Sequence, residues 1–446
     1  MRGNGDSWRK YRWHWKCAEK TVLTEKLIHY FRQIPDYRCG REKRHDLGEM
    51  LVCVTLGFLC GRTTIRRSLK WCKTHLEELR KHMNLKYGIA SPSTITRMLN
   101  GIDEELALYA FMEWIGEIVE SRNTHLAIDG KALCGATEKT KGETTPMLLN
   151  VVETVRGLIL AQLPVDSKTN EITAIPELLK LLDISGSIVT IDAVGTQTAI
   201  MEQIHEQGGH FVLTVKKNQP EAYEEIHTFM DKLGAEDLKR KKGEAMDPGM
   251  KEFLEKYEEI SQMEKNRDRN EYRTCQICKD ASNLTKSQKE WPHVQSIGRI
   301  KQVRIPKEKD SQGNDVTPSK EEFLEKGSRR VPAPSAEEGA GKDVQCTALI
   351  SDLILTAEEL GSIKRMHWSI ENRLHHVLDD TFREDRSPAK KSRNNLSLIR
   401  KYAYNILRLA MYETGLANIM TEMMDCFCDN AALRERYVFQ GIASLY

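Results

Sequence analysis

A chain of 446 residues is longer than a typical single domain, so two or three structural units are expected. Lysine and arginine number 67 against 65 aspartate and glutamate residues, and this near-neutrality excludes a chain that binds nucleic acid through its overall charge. Any DNA-binding surface must therefore arise from local clustering of basic residues.

Neither membrane insertion nor a disulfide framework is expected. No run of 18 apolar residues occurs, and the N-terminal stretch MRGNGDSWRKYRWHWK lacks the apolar core of a signal peptide. The 11 cysteines are scattered through helical patterns, and the CxxC of Cys275 and Cys278 has no second pair at zinc-site spacing. We therefore expect reduced structural thiols in a cytoplasmic protein with no membrane partner.

The first 120 residues carry helical patterns and predict an all-helical N-terminal domain. Within it, SPSTITRMLN gives Ser91 and Pro92 the positions of a helix N-cap and first turn. A short polar helix after another helix is typical of a helix-turn-helix reader of DNA, in which Thr94, Thr96 and Arg97 would contact DNA. An ordinary helix in a bundle explains the same pattern, and the sequence leaves both interpretations open.

Short apolar segments between residues 121 and 220 predict the first part of an α/β core. HLAID and PMLLNVVETVRGLILAQLPV indicate three strands, the last two joined by a turn near Arg156 and Gly157. SIVTID and HFVLTV indicate two more strands, which alternate with helical segments. The first three strands are expected to be antiparallel, and the later ones to join parallel to the first through helical crossovers.

Residues 221–345 are rich in charged residues and interrupt this core. The strand-like pieces EYRTCQICKD and SIGRIKQVRI indicate an insertion with some structure of its own. Residues 305–343 offer too little apolar area to offset ordering, so part of this stretch is expected to be mobile. Residues 346–446 return to helical patterns and begin with a long helix that places His367, Glu371 and His375 on one side.

Two aspartates end apolar strands and are followed by small residues. Asp129 ends LAID and Asp192 ends IVTID, and ligand sites form at the carboxyl ends of neighbouring strands in open α/β sheets. Converging carboxylates repel each other unless a cation lies between them, which favours Mg²⁺ or Mn²⁺ and, with two ions, chemistry on a phosphodiester. A third carboxylate is expected from the helix after the insertion, where the candidates are Glu371, Asp379, Asp380, Glu384 and Asp385.

Glu371 is the preferred third acid on periodicity, because it flanks the apolar stripe of its helix. Asp379 lies about 12 Å further along a helix that rises about 1.5 Å per residue, so the two side chains cannot bind the same ion. The other acids are more terminal and stay open as alternatives.

Long runs of the sequence resemble one bacterial family. AIDGK, VLTVKKNQ, WPHVQSIGRI and HWSIENRLHHVLDDTFRED are similar to insertion-sequence transposases of the DDE type, in the branch of H-repeat-associated proteins. IPDYRCGREKRHDLGEMLVCVTLGFLCG is similar to the transposase-associated N-terminal domain of that branch. The resemblance covers nearly the whole chain.

The resemblance implies an RNase H-like fold, in which helices flank a mixed α/β sheet. The helical DNA-binding domain would span residues 1–120, the core would comprise 121–220 and 346–446, and the charged insertion, 221–345, would precede the last catalytic acid. The catalytic and metal-binding residues would be Asp129, Asp192 and Glu371.

The activity that the resemblance implies is cleavage of DNA at transposon ends and strand transfer into target DNA, with Mg²⁺ or Mn²⁺ as two bound ions. The partner would be double-stranded DNA, both the terminal inverted repeats and the target, bound by a homo-oligomer associated with the nucleoid. A DNA nuclease without strand transfer and a domesticated, non-catalytic end-binding protein are the alternatives.

Further DNA-binding candidates lie near the three acids, and each also has an ordinary structural explanation. In the branch, a glycine-rich stretch is expected where this chain has NRDRNEYR, and only Arg269, Glu271 and Arg273 match it. This departure touches none of the three acids. Asn372 would orient a carboxylate or a water molecule beside Glu371. The complete set of these candidates is Lys131, Lys216, Lys217, Asn218, Arg269, Arg365, His367 and Asn372.

Overall fold

The structure is a computed structural model. It describes residues 25–40, 43–133, 145–165, 171–265, 269–284, 291–306, 308–309, 315–316, 344–387, 389–443 and 445. The stretch predicted to be partly mobile, 305–343, lies almost entirely outside the described residues, and the N-terminal stretch up to residue 24 lies outside them as well.

The α-helices are numbered in chain order. They are α1 (Leu27–Gln33), α2 (Leu47–Leu59), α3 (Ile65–Thr74), α4 (Leu76–Leu79), α5 (Pro92–Gly101), α6 (Glu104–Gly116), α7 (Glu171–Lys180), α8 (Thr198–Glu206), α9 (Pro220–Lys242), α10 (Lys251–Glu255), α11 (Ala357–Ile370), α12 (Arg393–Thr414), α13 (Met420–Asp429) and α14 (Ala431–Arg434).

The strands are numbered in the same way. They are β1 (His125–Ala132), β2 (Met147–Glu153), β3 (Leu158–Val165), β4 (Ile188–Ile191), β5 (His210–Val215), β6 (Tyr257–Lys265), β7 (Arg269–Cys278), β8 (Ser296–Pro306), β9 (Glu308–Lys309), β10 (Asp315–Val316) and β11 (Val344–Ser351).

The chain divides into two compact units. The first comprises Met1–Ser187 together with Trp368–Tyr446, and the second comprises Ile188–His367. The first unit therefore contains the N-terminal helices and strands β1 to β3, and the second begins with β4.

The N-terminal region of the first unit is helical, as predicted. Several of its helices begin at a side chain that accepts a hydrogen bond from a backbone N–H of the first turn, including Asp46 for α2, Ser91 for α5 and Asp103 for α6. Pro92 occupies the first turn of α5, where its missing N–H costs nothing. Residues 80–91 connect α4 to α5, a longer connection than the three- or four-residue turn of a helix-turn-helix.

Strands β1, β2 and β3 form the antiparallel meander that the sequence predicts. Asp129 pairs with Asn150, which in turn pairs with Gln162, so these three side chains share one face of the sheet. Helix α12 lies on that face, because Lys401 donates to the side chains of both Asn150 and Gln162. Buried residues of α12 also contact α2, α6 and β3.

In the second unit, β4 and β5 are parallel and are joined by α8, as predicted. The antiparallel strands β11, β8, β7 and β6 follow β5 in that order. The charged insertion therefore contributes strands to the same sheet as β5, and β11 was not anticipated from the sequence. The mixed sheet and its flanking helices confirm the predicted mixed α/β fold.

Among the described residues, no helix is both long enough and apolar enough to cross a bilayer.

Candidate catalytic site

Asp129 lies within β1, at the point where the burial of the strand decreases. The side chain of Asp129 is 33% exposed, and its Oδ1 accepts a hydrogen bond from the N–H of Gly130 at 3.0 Å. A side chain at position 130 would be crowded, because a Cβ there would lie 2.9 Å from Glu171 Oε1 and from Met147 Sδ. A larger residue after the aspartate would therefore require the flexible ends of the Glu171 and Met147 side chains to move.

His375 approaches the other oxygen of Asp129. Its Nδ1 lies 3.6 Å from Asp129 Oδ2, which is too long for a hydrogen bond. Burial, together with the nearby ammonium groups of Lys131 and Lys401, lowers the pKa of His375 to about 4. At neutral pH a neutral imidazole therefore lies beside the Asp129 carboxylate.

Lys131 follows Asp129 by two residues and is buried, with only 4% of its side chain exposed. Its ammonium lies 2.5 Å from Asp379, 3.5 Å from Glu384 and 3.6 Å from Asp385. Burial opposes the charged form, but these carboxylates raise the pKa of Lys131 above its ordinary value. An ammonium enclosed by three carboxylates presents no unbalanced positive charge to a phosphate, so a DNA contact by Lys131 does not follow from its surroundings.

Helix α12 adds two buried cations to this group. Arg400 lies 3.7 Å from Glu384, and Lys401 donates to Asn150 Oδ1 at 2.5 Å and to Gln162. Burial alone would raise the pKa of Glu384, but Arg400, Lys401 and Lys131 lower it below its ordinary value. The sequence showed this helix only as amphipathic, so Lys401 and Arg400 were missed as members of the site.

Glu371 lies where the helix changes its winding. The α-helical hydrogen bonding of α11 ends at Ile370, and residues Glu371–His375 and Val377–Thr381 are π-helical. This corrects the prediction of a continuous α-helix with His367, Glu371 and His375 on one side. The side chain of Glu371 is exposed, and π-helical turns are frequent at functional sites.

The π-helical segment ends in a tight turn. Arg383 has a φ of 52°, an uncommon conformation for a residue other than glycine, asparagine or aspartate. The short 3₁₀-helix Glu384–Arg386 follows, and this reversal brings Glu384 and Asp385 to the ammonium of Lys131.

Asp192 directly follows β4 in the second unit. Lys216, directly after β5, lies 2.9 Å from its carboxylate, and both side chains are about half exposed. Burial alone would raise the pKa of Asp192, but Lys216, the N–H of Ala193 and the charge of Lys364 lower it below its ordinary value. Asp192 is therefore ionised and already near positive charge.

The remaining candidates from the sequence differ in exposure. Lys217, Asn218 and Asn372 are exposed, although the Asn218 amide donates to the Ala193 carbonyl at 3.1 Å. Arg365 pairs with Glu264 at 2.8 Å. His367 is buried and its Nδ1 lies 3.0 Å from Thr190 Oγ1, which makes it a packed residue of the second unit.

Arg269 begins β7 and its backbone pairs with Pro306, but its side chain lies outside the described residues.

The N-terminal helical region carries exposed polar and aromatic groups that the sequence showed only in part. Thr96 and Arg97 are exposed on α5, and Thr94 is half-buried. Nearby in the sequence, Tyr87 is 49% exposed. Arg44 and Lys86 lie 5.1 and 5.4 Å from the centre of the Tyr87 ring. The two cations are far apart in the chain, so only the fold reveals that they share one aromatic ring.

Lys401 is expected to make stability depend on pH. Burial, reinforced by the charge of Lys131 and opposed by Glu384, lowers the pKa of Lys401 from its ordinary value of 10.5 to about 7. Between pH 7 and pH 10.5 the unfolded chain holds one more proton than the folded protein, so the free energy of unfolding should rise with pH. Below pH 7 the folded protein bears the full cost of the buried charge.

In wild-type protein this lysine should raise the free energy of unfolding by about 2–3 kcal/mol between pH 7 and pH 9, and Lys401→Met should lose that increase, as measured by urea unfolding.

Lys180→Met is the matched control, because Lys180 is an exposed lysine paired with Glu177 at 2.8 Å. Its unfolding should keep the wild-type pH dependence. A Lys401→Met protein that also keeps that dependence would show that another group is responsible.

Comparison with known proteins gives the family. The model described as the transposase DDE domain matches residues 120–406, more than half of the chain. A second model, described as DDE_Tnp_1-associated, matches residues 28–115. The chain is 28% identical over 388 residues to the "H repeat-associated putative transposase YhhI" of Escherichia coli K12. This alignment covers 86% of the present chain and 90% of the relative. The "Putative protein YbfL" of the same organism matches with the same identity and shares.

Among solved structures, the piggyBac transposase synaptic complex with hairpin DNA aligns with 93% of this chain and 79% of that chain, at 10% identity and a TM-score of 0.38. The match of the family model to residues 120–406, together with the match to the H-repeat-associated relative over 90% of its length, identifies the chain as a member of the transposase DDE domain family.

Proposed function

We propose that this chain is a metal-dependent transposase that cuts DNA at the ends of its own mobile element and joins the freed ends to target DNA. Membership of the transposase DDE domain family supports the general activity. For the chemistry, we propose Asp129, Asp192 and Glu371 as the catalytic and metal-binding carboxylates.

One observation carries the choice of the third acid. Asp379, Glu384 and Asp385 all lie within 4 Å of the ammonium of Lys131, and Glu384 also lies near Arg400, so each of these acids already has a cation of the protein as a neighbour. Asp380 lies 3.6 Å from His376 on the surface. Glu371 is exposed on the π-helical turn that precedes all of these acids. Its carboxylate is the one best suited to bind an external cation.

The donor chemistry of the three proposed residues fits Mg²⁺ or Mn²⁺, because both ions favour carboxylate oxygens. Asp129 is 33% and Asp192 45% exposed, so ions can reach both. Among the described residues, no three His, Cys, Asp or Glu side chains are grouped closely enough to hold a metal ion. Binding of the ions would therefore have to complete the site. Two bound ions would supply Lewis-acid activation of the attacking oxygen and stabilise the leaving oxygen.

The other residues of the proposal bind and orient DNA. The exposed ammonium groups of Lys216 and Lys217 and the amide of Asn218 follow β5, and we expect them to contact the phosphate backbone. Arg365 would also contact the phosphate backbone once its ion pair with Glu264 is broken. Asn372 would orient the neighbouring Glu371 carboxylate or a water molecule. Lys131 and His367 are not proposed as DNA contacts, because both are buried against internal partners.

We further propose that the N-terminal helical region binds the terminal inverted repeats as double-stranded DNA. The exposed Arg44, Lys86 and Tyr87 combine positive charge with an aromatic face, and Thr96 and Arg97 add exposed groups on α5. Joining two ends requires two active sites, so the protein would act on DNA as a homo-oligomer.

Conservative substitution of each proposed acid should abolish chemistry. Asp129→Asn, Asp192→Asn and Glu371→Gln should each lower the rates of end cleavage and strand transfer by on the order of 10³-fold or more. The rates are measured on a duplex carrying the terminal repeat, with Mg²⁺ or Mn²⁺. Binding of the same duplex in the absence of metal should change little.

Asp380→Asn is the matched control, because Asp380 is an exposed acid on the same π-helical segment. It should keep wild-type rates. Wild-type activity in all three acid variants would overturn the catalytic assignment. Cleavage without any joined product in the wild-type protein would favour the nuclease alternative, and specific end binding without cleavage would favour the domesticated end-binding alternative.

Charge reversal at the tyrosine-centred surface should weaken end binding. Arg44→Glu and Lys86→Glu each remove a cation near Tyr87. For each DNA phosphate that is no longer neutralised, a plot of the logarithm of the binding constant against the logarithm of the salt concentration should become less steep by about 0.9. Fluorescence anisotropy at several salt concentrations measures the slope. Lys180→Glu also reverses a charge, on α7, and should leave the slope unchanged; equal slopes for all the variants would exclude this surface from DNA binding.

A further inference from the structure

Lys131 joins two segments that carry proposed catalytic acids. It lies on β1 two residues after Asp129, and its ammonium contacts Asp379, which lies eight residues after Glu371. Both partners belong to the first unit, and Lys131 is nearly inaccessible to solvent. The ion pair is therefore an internal link between β1 and the π-helical segment.

The link is reinforced after the segment reverses direction. Glu384 and Asp385 approach the same ammonium at 3.5 and 3.6 Å, and Glu384 also lies 3.7 Å from Arg400 of α12. On the segment itself, the carbonyl of Arg373 accepts a hydrogen bond from the Tyr404 hydroxyl at 2.9 Å. The π-helical segment is thus held to β1 by Lys131 and to α12 by separate contacts.

The physical reason for so many partners is the cost of burial. A buried ammonium without compensating charge costs several kcal/mol or neutralises itself, and a buried carboxylate behaves alike. The Lys131 ammonium tolerates little displacement, because it is buried and would lose the carboxylates that compensate its charge; Asp379, at 34% exposure, lies at the solvent-facing side of the pair. Such a pair fixes the relative position of its two segments more sharply than an apolar contact does.

We propose that Lys131 is a positioning residue for the reaction: through Asp379 it holds the π-helical segment of Glu371 against the strand of Asp129, in the arrangement that metal binding requires. This inference rests on the proposed function of the two acids. Lys131 itself touches neither substrate nor metal, and it acts through the segments that it joins.

The test removes the pair without changing net charge. In Lys131→Met/Asp379→Asn, the affinity of the free protein for Mn²⁺ should fall about tenfold or more, measured by electron paramagnetic resonance of unbound Mn²⁺. In end cleavage, kcat should fall and half-maximal activity should need more Mn²⁺, whereas KM for the end duplex should stay within about twofold. A general loss of folded protein would not change Mn²⁺ affinity per folded molecule.

The control is Lys180→Met/Glu177→Gln, which removes an exposed ion pair from α7 and should leave every value at the wild-type level. If the double variant of Lys131 does not fold, Asp379→Asn alone carries the test, with losses in the same direction. The inference would be overturned if the folded double variant kept wild-type Mn²⁺ affinity and kcat. If only Asp379→Asn folds, the same result in that variant would overturn it.

Glu371→Gln separates this inference from the proposed function. If Glu371→Gln loses Mn²⁺ affinity and cleavage while the Lys131 variants keep both, only the positioning role is wrong. If Glu371→Gln keeps wild-type affinity and cleavage, the proposed function itself fails.

Discussion

The buried ammonium of Lys131 is the constraint on which the first unit depends. A positive charge inside the protein needs negative partners, and these come from a segment almost 250 residues away in sequence. The π-helical winding after Ile370 and the left-handed turn at Arg383 together deliver Asp379, Glu384 and Asp385 to that charge. Both irregularities carry a conformational cost.

The same face of the meander carries a polar row across its strands. Asp129, Asn150 and Gln162 lie side by side on β1, β2 and β3, and Lys401 of α12 closes the row by donating to both amides. Amide oxygens are neutral, so they satisfy the hydrogen bonds of Lys401 without balancing its charge, which explains why burial lowers its pKa so far. These contacts favour the observed register of α12 against the sheet, because a shifted helix would leave the buried amide oxygens and Lys401 without their hydrogen bonds.

The acids of the first unit thereby fall into two classes. Asp379, Glu384 and Asp385 all lie near the ammonium of Lys131, and their removal should act through the fold. Asp129 and Glu371 are accessible to solvent, and the neighbour of Asp129 is the neutral imidazole of His375. Asp379 and Asp385 are exposed to about the same degree as Asp129, so the two classes differ in their neighbours and not in their burial. In the second unit, Asp192 is accessible in the same way and has Lys216 as its cation.

Much of this architecture could be predicted from the sequence, because its strands and helices have strong local patterns. The strand that contains Asp129 and the strand that precedes Asp192 follow from short apolar runs, although β1 continues past Asp129 to Ala132 and does not end there as predicted. The start of α5 follows from Ser91 and Pro92. The spacing between α4 and α5, the strand β11 and the π-helical winding could not be predicted, because tertiary contacts and not local propensities decide them. The partners of Lys131 and Lys401 could not be predicted for the same reason. A lysine two residues after a strand aspartate has the same sequence pattern whether it faces solvent or three carboxylates. The periodicity of an amphipathic helix likewise does not distinguish a buried lysine from one at the edge of the apolar face.

The position of bound metal bears most directly on the proposed site. Crystals of the protein with its end duplex and Mn²⁺, measured at the manganese absorption edge, locate each ion by its anomalous scattering. We predict Mn²⁺ bound by the carboxylates of Asp129, Asp192 and Glu371, with Lys131 still paired to Asp379. Mn²⁺ bound instead among Asp379, Glu384 and Asp385, with Lys131 displaced, would contradict both the catalytic assignment and the positioning role.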